Sequence, residues 1–76
     1  MSTPYDQFGV IVRQRRTELQ TSQEVLAHKA GLNRSFVGEV ERGATVPSLD
    51  TMVKLAAALD IKLSALLARC ERDVLS

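Results

Sequence analysis

Few residues in this chain could carry covalent or metal chemistry. There is one cysteine, Cys70, and one histidine, His28. They cannot supply the full tetrahedral ligand set that structural zinc takes. As a nucleophile pair they lack a third orienting group and a recognisable oxyanion loop. No catalytic residue, metal or cofactor is expected. The remaining chemistry is that of charge and hydrogen bonding. Arg13, Arg15 and Arg16 cluster on one segment, and Lys29, Arg34 and Arg42 follow. The formal net charge is only +1, so bulk charge does not point to a polyanionic partner. If these cations have a phosphate-bearing partner, geometry must show it. The bland reading of the Arg13–Arg15 run is a solvated helix face.

The elements that position these groups are short helices. Seventy-six residues suffice for one domain, spanning 1–76 with a core over about 4–70. A chain this small buries only roughly 60% of its unfolded surface, so a partner subunit would help its stability. Apolar residues make up 45% and aromatics 4%, so the core must be aliphatic. A lone cysteine rules out an intramolecular disulfide. No signal peptide or membrane-length apolar run is evident, which suits a soluble cytoplasmic protein.

Thr3 and Pro4 read as the start of a helix running to about Leu19, with Asp6 in its first turn. Ser22 or Thr21 caps a second helix, which ends near Gly31. Asn33 caps a third, Arg34 to Glu41, stopped by Gly43. Ser48 caps a fourth, ending at Asp60, and Ser64 caps a fifth behind an anchoring Leu63. No strand pattern or repeat appears. The expected fold is all-α, with five helices.

The informative stretch is Gln23 to Glu41. A tight turn at Gly31 separates the second and third helices, and Ala27, four residues earlier, is small enough to let them cross closely. Leu26, Ala30, Leu32, Val37 and Val40 would seal the angle from inside. This is helix-turn-helix spacing, in which the second helix projects from the body.

Here the chain resembles the phage-repressor and Cro type of helix-turn-helix, the XRE-like family with its lambda-repressor-like fold. The resemblance covers roughly residues 8–68 and rests on motifs in order. They are Phe8-Gly9-x-x-Val12-Arg13-x-x-Arg16, then Ser22-Gln23-Glu24-x-Leu26-Ala27-x-x-Ala30-Gly31-Leu32-x-Arg34-Ser35. Glu39-x-Glu41-Arg42-Gly43 and Pro47-Ser48-Leu49 follow. Length and the Asn33-Arg34-Ser35 start are similar to those of restriction–modification controller proteins.

The resemblance implies a cytoplasmic, nucleoid-associated transcriptional regulator of bacterial or phage type, a repressor or autoregulator that binds a palindromic operator in double-stranded DNA as a homodimer and is not an enzyme. It implies that Arg34, Ser35 and Glu39 face base edges: Arg34 suits guanine O6 and N7, and Glu39 suits cytosine N4. Arg13, Gln23, Asn33, Arg42 and Thr45 would contact phosphates. Gly38 would permit close approach to the groove. Arg16 and Glu41 would form a semi-buried ion pair joining the first helix to the third. For the dimer interface the fifth helix is the candidate, through Leu66, Leu67, Val74 and Leu75.

No room is expected for a ligand-sensing domain, so no small-molecule ligand and no membrane partner are anticipated. Control would lie in concentration, dimerisation and operator occupancy. The competing class is an antitoxin or other protein-interaction module on the same fold, for which the long toxin-wrapping arm is missing. Three departures from the family pattern are expected to cost stability: Gln20 and Asp60 stand where glycine commonly ends a helix, and Thr21 where an apolar residue precedes the cap.

Overall fold

Each of the first four helices starts on a side chain that satisfies an otherwise orphaned backbone N–H. The computed structural model describes residues 3–75, with the backbone alone at Pro4, Tyr5, Asp73, Val74 and Leu75. Its helices are α1 (Pro4–Glu18), α2 (Gln23–Ala30), α3 (Arg34–Glu41), α4 (Leu49–Ala58) and α5 (Leu63–Leu75). The expected all-α, five-helix architecture holds. Thr3, Ser22, Asn33 and Ser48 accept from the N–H groups of Asp6, Val25, Ser35 and Thr51. Asp6 reciprocates by accepting from the Thr3 N–H, closing a capping box. Ser64 does not cap α5. The helix begins one residue earlier, and the Lys62 carbonyl takes its first bond, from Leu66 N–H at 3.0 Å.

The same four helices stop in one way. A residue in the left-handed region follows each, and the next N–H reaches back five residues. The bonds are Thr21 N–H to Arg16 O (3.1 Å), Leu32 to Ala27 (2.8 Å), Ala44 to Glu39 (2.9 Å) and Ile61 to Ala56 (3.1 Å). The left-handed residues are Gln20 (φ 53°), Gly31 (68°), Gly43 (72°) and Asp60 (54°). Two of the four therefore carry a Cβ where glycine would be relaxed. A left-handed non-glycine residue costs about 1–2 kcal/mol, and glycine's unfolded-state freedom takes back about 0.5–1. Gln20→Gly and Asp60→Gly should each stabilise by about 0.5–1 kcal/mol. In a domain this size the double variant should melt roughly 5–10 °C higher. An unchanged melting temperature in calorimetry would show that neither position is strained.

The core draws on every helix. Ile11, Leu26, Val37, Leu55, Leu59 and Leu66 are each at most 2% exposed. α1 packs on α3 and α5, α2 on α3 and α4, and α4 on α5. The α1–α3 crossing is close enough to require Gly9. A Cβ there would overlap the Val40 carbonyl oxygen and lie 2.8 Å from that of Glu41.

Polar side chains tie the helices at their ends. Arg15 Nε donates to the Leu59 carbonyl and Nη2 to that of Asp60, both at 3.0 Å. It thereby satisfies the negative end of α4 from α1. Glu18 accepts from Arg69 of α5 and from Arg15, and these cations hold its carboxyl below the usual range, Arg69 foremost.

One expectation about α5 changes. Leu66 is 0% exposed within a single chain, in contact with the common core, so it offers no surface to a second subunit. Leu67, one step round the helix, is 36% exposed. The side chains of Val74 and Leu75 lie outside the described residues.

Candidate nucleic-acid interface

The recognition surface is built from the turn outward. Gly31 reverses the chain after α2, and nothing lies within 4 Å of a Cβ built on it. Its glycine is thus required by φ and not by crowding. Asn33 then restarts the helix, its Oδ1 accepting from Ser35 N–H at 2.7 Å. The Asn33 carbonyl oxygen is consumed by capping, which leaves its NH2 group for an external acceptor. Val37 and Val40 turn inward and are buried. The same periodicity turns Arg34, Ser35 and Glu39 outward, and all three are exposed.

Around them lies a cleft of about 260 Å³, lined by Gln23, Arg34, Ser35, Gly38, Glu39 and Arg42. Gly38 forms part of its wall. A Cβ at Gly38 would stand 3.1 Å from Arg42 Nη1 and 3.8 Å from Gln23 Oε1. Without that Cβ the Arg42 guanidinium folds back over the helix by one turn. Among the described residues, Arg34, Arg42 and Glu39 have no ion-pair partner. The cleft therefore presents two unneutralised guanidinium groups, one carboxylate and a hydroxyl on one surface.

Beneath this surface sits the Arg16–Glu41 pair. Arg16 Nε donates to Glu41 Oε2 at 2.7 Å and Nη2 to Oε1 at 3.0 Å, a bidentate fork. Arg16 Nη1 donates to the Thr21 carbonyl at 2.9 Å. The Glu41 side chain is 3% exposed and that of Arg16 16%. The hydrogen bonds to Glu41 raise the Arg16 guanidinium above its ordinary value, against the opposing effect of burial. Arg16 is thus engaged inside the protein and unavailable to a ligand.

Gln23 is the third donor to this carboxylate, through Nε2 to Glu41 Oε1 at 3.0 Å. A carboxylate accepts only, so the NH2 end of the amide must face Glu41. The Gln23 side-chain oxygen then lies on the Gly38 side, 3.8 Å from a Cβ built there. Sequence reasoning placed Gln23 at the surface but missed this bond. Nothing local signals a contact between positions 18 residues apart.

The structure brings five of the eight expected interface residues to the cleft: Gln23, Arg34, Ser35, Glu39 and Arg42. Asn33 is exposed at its edge as the cap of α3. Thr45 is half-buried in the loop after α3, outside the lining. Arg13 lies on α1, in a more open depression of about 520 Å³ with Val10, Gln14 and Thr17. Of the two groups weighed as a nucleophile pair, Cys70 is buried while His28 is exposed on α2.

This geometry has counterparts among known proteins. The helix-turn-helix family matches residues 12–66. The crystal structure of the restriction-modification controller protein C.AhdI from Aeromonas hydrophila is 48% identical, with a TM-score of 0.80. The match covers 82% of this chain and 94% of that one. The immunity repressor protein of Bacillus phage phi105 is 40% identical over 58 residues, 76% of this chain. Those residues are 40% of the repressor's length, so the chain spans about two fifths of that relative. The controller protein C.Esp1396I, solved as a tetramer with its natural 35 base-pair operator, superposes with a TM-score of 0.90 over the whole of both chains. At 18% identity that likeness concerns the fold alone. Among the described residues no helix is long and apolar enough to cross a membrane. With its family match over most of its length and its α2–α3 unit built as described, the chain belongs to the XRE-like helix-turn-helix family.

Proposed function

We propose that this chain is a sequence-specific DNA-binding transcriptional regulator that acts as a homodimer on a palindromic operator. The observation that carries the reading is the outward face of α3. Arg34, Ser35 and Glu39 are exposed on a helix whose opposite side is sealed into the core. Arg34 has the fork to take guanine O6 and N7; Glu39 can accept from cytosine N4; Ser35 can serve either a base or a phosphate. Asn33, Arg42, Arg13 and Thr45 flank them as phosphate contacts. Gln23 gives one amide N–H to Glu41 and keeps the other for a phosphate.

Two copies are required by energetics. One short recognition helix reads only a few base pairs, and a net charge of +1 attracts DNA weakly. A two-fold axis would set two recognition helices about 34 Å apart, matching half-sites one turn apart. The names of the relatives, control proteins and a phage repressor, agree with this reading.

Selection from random duplexes at two salt concentrations tests it. The expected result is a shared palindrome whose enrichment persists at the higher salt, while non-specific binding falls because releasing counterions gains less entropy there. Enrichment of no sequence, with binding that vanishes uniformly in salt, would overturn the proposal.

A further inference from the structure

Gly38 stands inside α3, where no turn or positive φ calls for a glycine. Its use lies in the space above the helix. Arg42, one turn further on, carries its guanidinium back over residue 38, and Nη1 stands 3.1 Å from a Cβ built there. Beyond the chain neighbours and the helix backbone, only Gln23 Oε1, at 3.8 Å, also comes within 4 Å among the described residues. Gly38 is buried beneath this cover, while Arg42 is exposed.

We propose that Gly38 is a specificity-determining position: by leaving out a side chain it admits the Arg42 guanidinium to the reading face, where the arginine takes a second guanine of the half-site. The inference rests on the DNA-binding reading of the proposed function. It moves Arg42 from the flanking phosphate contacts to the base readers.

Reach and charge both favour a base over a phosphate. Residues 34, 38 and 42 share one helix face, and helical side chains lean towards the N-terminus. Arg34 heads this line, Gly38 leaves its middle bare, and Arg42 fills the gap beside Ser35 and Glu39 in the same cleft. The Arg42 backbone is ~12 Å along the axis from that of Arg34, yet its guanidinium is level with residue 38, only ~6 Å along. That is under two base-pair steps of ~3.4 Å each. Glu39 lines the same cleft without an ion-pair partner among the described residues, and a carboxylate repels a phosphate. A G·C pair suits both groups: guanine O6 and N7 accept from the Arg42 fork, and cytosine N4 donates to Glu39.

A double-mutant cycle tests the proposal on the selected operator and its single-base variants. Gly38→Ala meets only the movable end of Arg42, so it should raise the melting temperature by about 2–8 °C, as removing a helical glycine does in a domain this size. It should nevertheless cut discrimination about threefold or more at one G·C pair, because the fork loses its alignment. That pair should lie within about two base pairs of the one Arg34 reads. Arg42→Ala should cut discrimination there by about 5- to 150-fold. Adding Gly38→Ala to Arg42→Ala should change it by less than about twofold, since the glycine acts through the arginine. Arg42→Lys should keep non-specific binding and lose the base preference. Three outcomes would overturn the proposal and leave the regulator standing. One is an equal loss from Arg42→Ala on every duplex, restored by lysine, which marks a phosphate contact. Another is full additivity of the two substitutions, which means that the methyl meets DNA directly. The third is a lower melting temperature for Gly38→Ala, which means that the Cβ has no room. A wild-type chain with no sequence preference at all would overturn the proposed function and this inference together.

Discussion

Replacing Glu41 by alanine is expected to destabilise the fold by about 3–5 kcal/mol, because it leaves the Arg16 guanidinium without its counter-ion in a mostly desolvated site. The pair bridges α1 and α3 through a bidentate fork, and Gln23 ties α2 to the same carboxylate. Glu41 also occupies the last turn of α3, where the helix dipole disfavours an anion. Arg16 offsets that as well. A domain of 76 residues has a total stability of roughly 4–11 kcal/mol at typical per-residue values. A loss of this size therefore removes from about a quarter of that stability to all of it. Urea denaturation of the wild type, Glu41→Ala, Glu41→Leu, Arg16→Met and the double variant Arg16→Met with Glu41→Leu would check it. The double variant should be less damaged than either single, since a buried pair replaced on both sides leaves no orphaned charge. If the losses simply add, the two residues act independently and the coupling inferred from their geometry fails.

Much of this arrangement was legible before any coordinates. The caps Thr3, Ser22, Asn33 and Ser48 act as their side-chain chemistry predicts, because capping is decided within three residues. The left-handed conformations at Gln20 and Asp60 also follow, since helix ends of this type need them whatever the residue. What the sequence concealed is long-range. Arg15 reads as part of a surface charge run, yet it closes the end of α4, 44 residues away. No pattern along α1 distinguishes an arginine that meets a carbonyl end from one that meets water. The expectation for α5 was divided between neighbours. Leu66 and Leu67 are equally apolar and a third of a turn apart, and only the orientation of α5 decides which faces inward. Spacing alone did not separate them, because Leu63, Leu66, Leu67 and Cys70 make one broad stripe with Leu67 on its edge; packing buries Leu66 and Cys70, seats Leu63 against the core and leaves Leu67 half out. Ser64 failed as a cap for a related reason. Packing of Leu63 against the core brings it into the helix, which moves the start ahead of the serine.

Arg34→Ala should change which sequences are bound more than how much DNA is bound. Arg34 is the first residue of α3, exposed and without an ion-pair partner among the described residues, so its loss should disturb little inside the protein. Its removal should leave the melting temperature within about 2 °C of wild type, as for an ordinary surface change. A bidentate contact to guanine discriminates by about 1–3 kcal/mol, or roughly 5- to 150-fold per half-site. The variant should therefore lose preference at one base pair in each half-site and keep it elsewhere. Arg34→Lys sharpens the test. Lysine retains the charge but not the planar fork, so binding to non-specific DNA should persist while discrimination at that base pair falls. A phosphate role predicts the opposite pattern. Affinity would then drop by the same factor on every duplex, lysine would restore most of it, and the salt dependence would lose about one unit of slope for each contact. Binding titrations on the selected operator, its single-base variants and a scrambled duplex, at two salt concentrations, separate the two. The uniform pattern would move Arg34 from the reading set to the positioning set and leave Ser35 and Glu39 as the readers on α3.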